Sequence, residues 1–238
     1  MDDNYKMKKI LARGGIEFLA VLFGITGSLF IEDKNNAREL NAQLKSSLHA
    51  LKSELLFNTE QLENFEQAIP KRLPELDFVI KADSLKFLGV DKLDKYFQTS
   101  TTNWGTKMNN RVFNSMEASG LIYKIKNDSL RNSILNLYQT IYGRYHYLYD
   151  YDLTHIQKFD DIILSSDFLL RDDSNVDSWQ WVVDWSKGEN IKQFKENRSF
   201  RNFLIANRGN KRLMMRAIPR YINETDKTVE LISSYLNK

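Results

Sequence analysis

The chain has 238 residues, no cysteine, and 34 Lys and Arg against 31 Asp and Glu, a formal net charge of +3. The absence of cysteine excludes disulfides, thiolate metal sites and a cysteine nucleophile, and so balanced a charge gives no argument for nucleic acid as a partner. Only three prolines and ten glycines point to long helices, so the expected fold class is all-α, with room for one apolar segment and a domain of about 200 residues.

Residues 1–9 form a basic N-terminal segment. The next stretch, IEFLAVLFGITGSLFI from Ile16 to Ile31, is the one place where water is the wrong solvent; from Phe18 to Ile31 fourteen residues carry no charge. A hydrocarbon core needs about 20 helical residues, so a transmembrane helix is expected over residues 10–31, with Arg13 and Glu17 near its entry, where long charged side chains reach the headgroups. The run ends in Phe30-Ile31-Glu32-Asp33 without a small-x-small cleavage site, which favours an uncleaved anchor over a signal peptide. Lys6, Lys8, Lys9 and Arg13 precede it and Lys34, Arg38 and Lys45 follow. By the positive-inside rule this places the N-terminus in the cytoplasm and the rest outside a cell inner membrane, in the periplasm. Ala20, Gly24 and Ser28, with Gly27 beside them, make a small-residue ridge suited to close helix packing. Glu17 falls on roughly the same face, either as a working intramembrane acid or as a group resting at headgroup level.

Residues 32–69 read as a long helix continuous with the span. No Gly or Pro occurs from Leu29 to Ile69. Ala37, Asn41, Leu44, Leu48, Leu51, Leu55, Asn58, Leu62, Phe65 and Ile69 alternate by four and three, a heptad seam. The seam suits a coiled coil with Asn41 and Asn58 setting register, or the first helix of a bundle. Leu56 and Phe57 widen the face and favour the bundle over residues 50–69.

Residues 70–238 are expected to pack on that helix. Pro70 and Pro74 bracket a break, a second helix covers Glu75 to Leu88, and a short one covers Asp91 to Tyr96. Another spans Lys107 to Ser119, with Gly120 in the left-handed cap position. Leu121 to Ile125 reads as extended, and Asn127, Asp128 and Ser129 are cap candidates for a helix from Leu130 to Leu170, bent near Gly143. Six tyrosines between Tyr138 and Tyr151 read as half-buried packing. Arg171 to Ser178 is a polar loop, Trp179, Trp181 and Trp185 form one patch, and helices over 191–207 and 211–236 meet around Gly209. Lys211, Arg212 and Arg216 read as a solvated basic face, and Pro219 as a kink.

No phosphate loop, GxGxxG turn, HExxH pair or GxSxG elbow occurs, so no enzyme, cofactor or metal site is expected. His49, His146 and His155 are not at metal-pair spacing, and Asp150, Asp152, Asp160 and Asp161 read as helix-surface charge.

Glu17-x6-Gly24-Ile25, then Ser28-Leu29-x-Ile31-Glu32, and later Ser115-x3-Ser119-Gly120-x4-Ile125-Lys126-Asn127-x2-Leu130-Arg131, resemble a widespread uncharacterised bacterial family, common in Bacteroidota, of single-pass membrane-anchored helical proteins. The resemblance covers the apolar segment and part of the middle. It departs at Asp33-Lys34, where the family usually carries a Trp. It implies membrane anchoring and no catalytic residue. The function expected from all this is a non-enzymatic membrane-anchored scaffold or accessory subunit. Its partners would be the lipid bilayer and either further copies of itself or a multi-span membrane protein. The alternatives are an ion-coupled or transport-associated subunit using Glu17, and a sensor with an aromatic ligand pocket built from Tyr138 to Trp185.

Overall fold

The computed structural model describes residues 3–81, 88–105, 107–170 and 183–237, and within the first helix the side chains of Thr26, Ser28, Glu32 and residues from Lys34 onward. It is all-α: α1 (Asp3–Lys81), α2 (Val90–Thr101), α3 (Arg111–Ala118), a 3-10 turn (Leu121–Lys124), α4 (Asp128–Leu135), a π-helical segment (Asn136–Tyr142), α5 (Gly143–Leu164), α6 (Gly188–Glu196) and α7 (Arg198–Leu236). One antiparallel bridge, Leu170 to Val183, is the only β pairing among the described residues. The chain divides into two compact units, residues 1–50 and 51–238.

The first unit is helical from Asp3 onward. Among the described residues no helix is long and apolar enough to cross a membrane, so the transmembrane helix expected over 10–31 is corrected. The uncharged run holds only fourteen residues, about 21 Å of helix against a core of about 30 Å; lengthening it draws in Arg13 and Glu17 or Glu32 and Asp33. The inner-membrane placement, the periplasmic domain, the bilayer and multi-span partners and the transport role fall with it. The side chains of Glu17, Ala20, Gly24 and Gly27 lie outside the described residues, and Ser28 is exposed.

The second unit is a helical bundle. α1 does not stop at Pro70 and Pro74; both lie inside it and are exposed. A proline frees the carbonyl one turn back, and on an outward face water can satisfy it. The inward row continues past both prolines through Leu62, Phe65, Ile69, Leu73, Leu76 and Ile80, all buried, and its burial holds the helix together. The same reasoning covers the exposed Gly209 and Pro219, which interrupt α7 no more than the α1 prolines interrupt α1.

The heptad seam is intramolecular over its second half, as the bundle reading of residues 50–69 expects, and the coiled-coil alternative is corrected. Leu51, Leu55 and Asn58 are fully buried. Asn58 sets no register with a second copy: its amide donates to the Asn109 carbonyl and accepts from the Asn109 N–H, both at 2.8 Å. Leu44 and Leu48 are also buried, while Asn41 is exposed.

Local signals end and start the middle helices. Gly120 takes φ +73 behind α3, a left-handed conformation that suits glycine. Asn127 caps α4 by accepting from Leu130 N–H at 3.1 Å, and Asn197 caps α7 by accepting from Phe200 N–H at 3.0 Å. The stretch 121–124, expected to be extended, is a 3-10 turn, and a π-helical segment ending at Tyr142 stands just before Gly143, where a bend was expected.

α7 is the spine. α5 packs along it most extensively, and α4, the π-helical segment and α6 also rest on it. One aromatic core gathers around Phe97 of α2, with Phe159, Phe168, Trp185, Phe194 and Phe200 at ring separations of 5.1–6.3 Å. Trp185 is thus core; Trp179, Trp181 and the loop 171–178 lie outside the described residues. Asn190 closes this end, donating to the Leu169 and Asp184 carbonyls and accepting from Leu169 N–H, each at 2.7 Å.

Candidate functional site

Two helices, α5 and α7, carry a buried polar cluster and an open groove. On α5, Tyr145, Asp152 and Phe159 repeat every seven residues and all are buried. On α7 the buried row runs Phe203, Asn207, Lys211, Met214, Ile218, Tyr221, Thr225, Thr228 and Ile232. Each row thus has one charge at a core position, and the two charges meet: Lys211 Nζ lies 2.5 Å from Asp152 Oδ2, both side chains 0% exposed. Asn210 donates to the other carboxylate oxygen at 2.7 Å. Lys211 also sits 5.0 Å from the Trp104 ring centre, and Trp104 donates its indole N–H to the Thr99 carbonyl at 3.0 Å. Burial pulls the Lys211 ammonium below its ordinary range; the Asp152 carboxylate counters this, and Arg72 adds to it. Both groups were expected on the solvated surface, and both are core.

A second buried polar site ties α1 to α3. The Glu54 carboxylate accepts from Val112 N–H at 2.8 Å, Phe113 N–H at 3.5 Å and the Tyr138 hydroxyl at 2.7 Å. It serves as an N-cap for α3 supplied from another helix, and it answers amides that would otherwise be unpaired. Tyr138 stacks on Phe113 at 4.2 Å, and Tyr142 shares a 2.9 Å hydrogen bond with Thr225 of α7.

Burial raises the hydroxyl pKa of Tyr138, helped by Glu54; burial also raises Tyr142 and Tyr221, in the last case against the opposing charges of Arg144 and Arg220. The unfolded hydroxyls ionise near pH ~10. Above that pH the unfolded state releases protons that the folded state retains, so stability complete below pH ~10 is lost as pH rises beyond it. Tyrosinate absorbance followed beside far-UV circular dichroism should show the last tyrosines ionising only as helix is lost. Complete ionisation with the helices intact would contradict the burial of these hydroxyls.

The groove lies on the other flank of α7. Gln139, Thr140, Gly143, Arg144, Tyr147 and Leu148 form one wall and Leu213, Ala217 and Tyr221 the other, enclosing about 570 Å³. Tyr147 is 70% exposed and Leu213 51% exposed, so the trough is open along its length rather than closed over a small ligand. The buried Asp152–Lys211 pair joins the same two helices.

The remaining expected sites do not assemble. His146 is half-buried, its Nε2 without a hydrogen-bond partner among the described residues, and burial holds its pKa below the ordinary value. His155 stacks on Phe203 at 4.8 Å, and His49 is exposed on α1. Among the described residues no group of three or more His, Asp or Glu is placed to hold a metal ion. Asp150, Asp160 and Asp161 are exposed, as read. The aromatic ligand pocket from Tyr138 to Trp185 is corrected as well. Tyr138 packs with Phe113 and Tyr142, and Trp185 with Phe97 and Phe194, in two separate clusters.

The pair on α5 and α7 did leave a signal in the sequence: Asp152 falls seven residues after Tyr145 and seven before Phe159, a core position. The groove left none, because nothing local says that Tyr147 and Leu213 come together.

Several of the middle residues behind the family resemblance have local explanations. Ser119 donates to the Ser115 carbonyl at 2.7 Å, Gly120 ends α3, Asn127 caps α4 and Leu130 is buried behind the cap. Such residues recur wherever one helix ends and the next begins, so they specify no single family. Set against family models, curated proteins and solved structures, the chain matches none, and the resemblance to a membrane-anchored Bacteroidota family is corrected accordingly.

Proposed function

We propose that this chain is a non-catalytic helical recognition domain whose groove between α5 and α7 holds a segment of another protein. The observation that carries this reading is the open trough walled by Tyr147, Leu148, Leu213 and Ala217. Exposed apolar and aromatic side chains gathered on one face mark interaction surfaces, and tyrosine is enriched at the centre of such contacts. The walls belong to long helices joined by a buried ion pair, so they need little ordering on binding, and this favours affinity. Lys211, the one buried amine among the described residues, is 0% exposed and already paired, which supports a structural role for it over a chemical one.

The test is site-specific photo-crosslinking in the native host, with a photoreactive residue at Tyr147 and, as a control, at Tyr123, which is 58% exposed on the 3-10 turn. The expected result is a discrete crosslinked protein from position 147 alone, lost in Leu213→Asp. Equal products from both positions, or none from position 147, would overturn the reading.

A further inference from the structure

α7 carries Arg208, Arg212, Arg216 and Arg220, four arginines at intervals of four. In a helix of 3.6 residues per turn, each such step turns the row by about 40°, so the row winds across the outer face of α7. Its first members are used within the fold: Arg208 reaches Asp77 at 3.3 Å and Arg212 reaches it at 2.8 Å. Its last member, Arg220, falls beside the Leu213–Ala217–Tyr221 wall. From the facing wall comes Arg144, and both charges act on Tyr221. Arg144 and Arg220 are exposed and make no ion pair among the described residues.

The groove's lining contains no carboxylate. Glu117, beside the lining, accepts from Gln139 at 3.0 Å, and Glu224, one turn after Arg220 on α7, pairs with Lys227 at 2.9 Å. An apolar floor therefore lies between two uncompensated guanidinium groups on opposite walls. From Leu213 to Tyr221 the trough runs about 12 Å, two turns of a helix.

We infer that the groove receives an acidic amphipathic helix, its carboxylates pairing with Arg144 and Arg220 and its apolar edge lying on Leu148, Leu213 and Ala217. This rests on the groove being a protein-recognition site and adds the chemistry of the partner. Guanidinium forks grip carboxylates with two parallel hydrogen bonds, and acids five residues apart on a helix, turned by about 140° around its axis, flank both sides of its apolar edge.

The experiment measures fluorescence anisotropy of the full chain with three probes. One is a helix-stapled peptide of about twelve residues with leucines along one edge and glutamates on both flanks. The second replaces glutamate by lysine, and the third is a single-stranded RNA of equal negative charge. The acidic peptide should bind about tenfold or more tighter than the lysine peptide, Arg144→Glu/Arg220→Glu should invert that order, and Leu213→Asp should weaken both. All three positions are exposed, and unchanged unfolding midpoints confirm that the variants fold. Equal binding of the two peptides, both lost in Leu213→Asp, overturns the acidic partner and leaves the groove reading standing. Binding of neither peptide overturns the acidic helix, while the Tyr147 crosslink decides the groove separately. RNA bound as tightly as the acidic peptide and indifferent to Leu213→Asp overturns the inference in favour of a nucleic acid.

Discussion

Replacing Lys211 by methionine should destabilise the second unit by about 3–5 kcal/mol, because it leaves the Asp152 carboxylate buried and uncompensated. Lys211 and Asp152 are both 0% exposed, so no water can take the lysine's place without opening the packing of α5 on α7. Methionine fills similar volume, so the loss reports the charge and not a cavity. Adding Asp152→Asn to the same chain should recover most of the loss. The asparagine carbonyl still accepts from Asn210, which now reaches Asp152 at 2.7 Å, and no charge remains buried. Urea unfolding followed by circular dichroism, compared at equal denaturant slope, reads the whole cycle. A double variant as unstable as Lys211→Met would show that the packing around Lys211, rather than its charge pairing, sets the cost.

Glu54→Ala should cost about 3 kcal/mol or more. Its carboxylate accepts from Val112 N–H and from the Tyr138 hydroxyl, and each buried donor left unsatisfied costs about 1–3 kcal/mol. The damage should be local as well as global. Hydrogen exchange at Val112 and Phe113, the first turn of α3, should accelerate more than exchange at Ile232 near the end of α7. Glu54→Gln retains one acceptor and should lose roughly half as much. A Glu54→Ala chain within about 0.5 kcal/mol of the parent, the range of ordinary surface substitutions, would rule out the carboxylate as the cap of α3.

Most of the helical architecture was legible because its signals are local. Leu51, Leu55, Leu62, Phe65 and Ile69 show the seam by spacing alone, and Gly120 and Asn127 mark helix ends through backbone conformation and a single side-chain acceptor. The misreadings arose where tertiary burial overrides a local rule. Pro70 and Pro74 argue for a break, but the buried Leu73, Leu76 and Ile80 keep the helix intact around them. Lys211 among nearby arginines reads as surface until Asp152 is placed opposite it, fifty-nine residues away in sequence. Asn58 suits a register-setting asparagine equally well until Asn109 is seen to satisfy both its donor and its acceptor. The apolar run from Phe18 to Ile31 reaches spanning length only when extended back to Ile10, and that extension brings in Arg13 and Glu17. The groove was illegible for a different reason: it exists only once α5 and α7 lie side by side.

The most direct test of the groove as a recognition surface pairs two readings on one variant, Leu213→Asp. Leu213 is 51% exposed, so the urea midpoint should stay within the range of ordinary surface substitutions, about 0.5 kcal/mol, while the crosslink from position 147 disappears. A crosslink that persists undiminished in a folded Leu213→Asp chain would contradict the groove as the site of recognition.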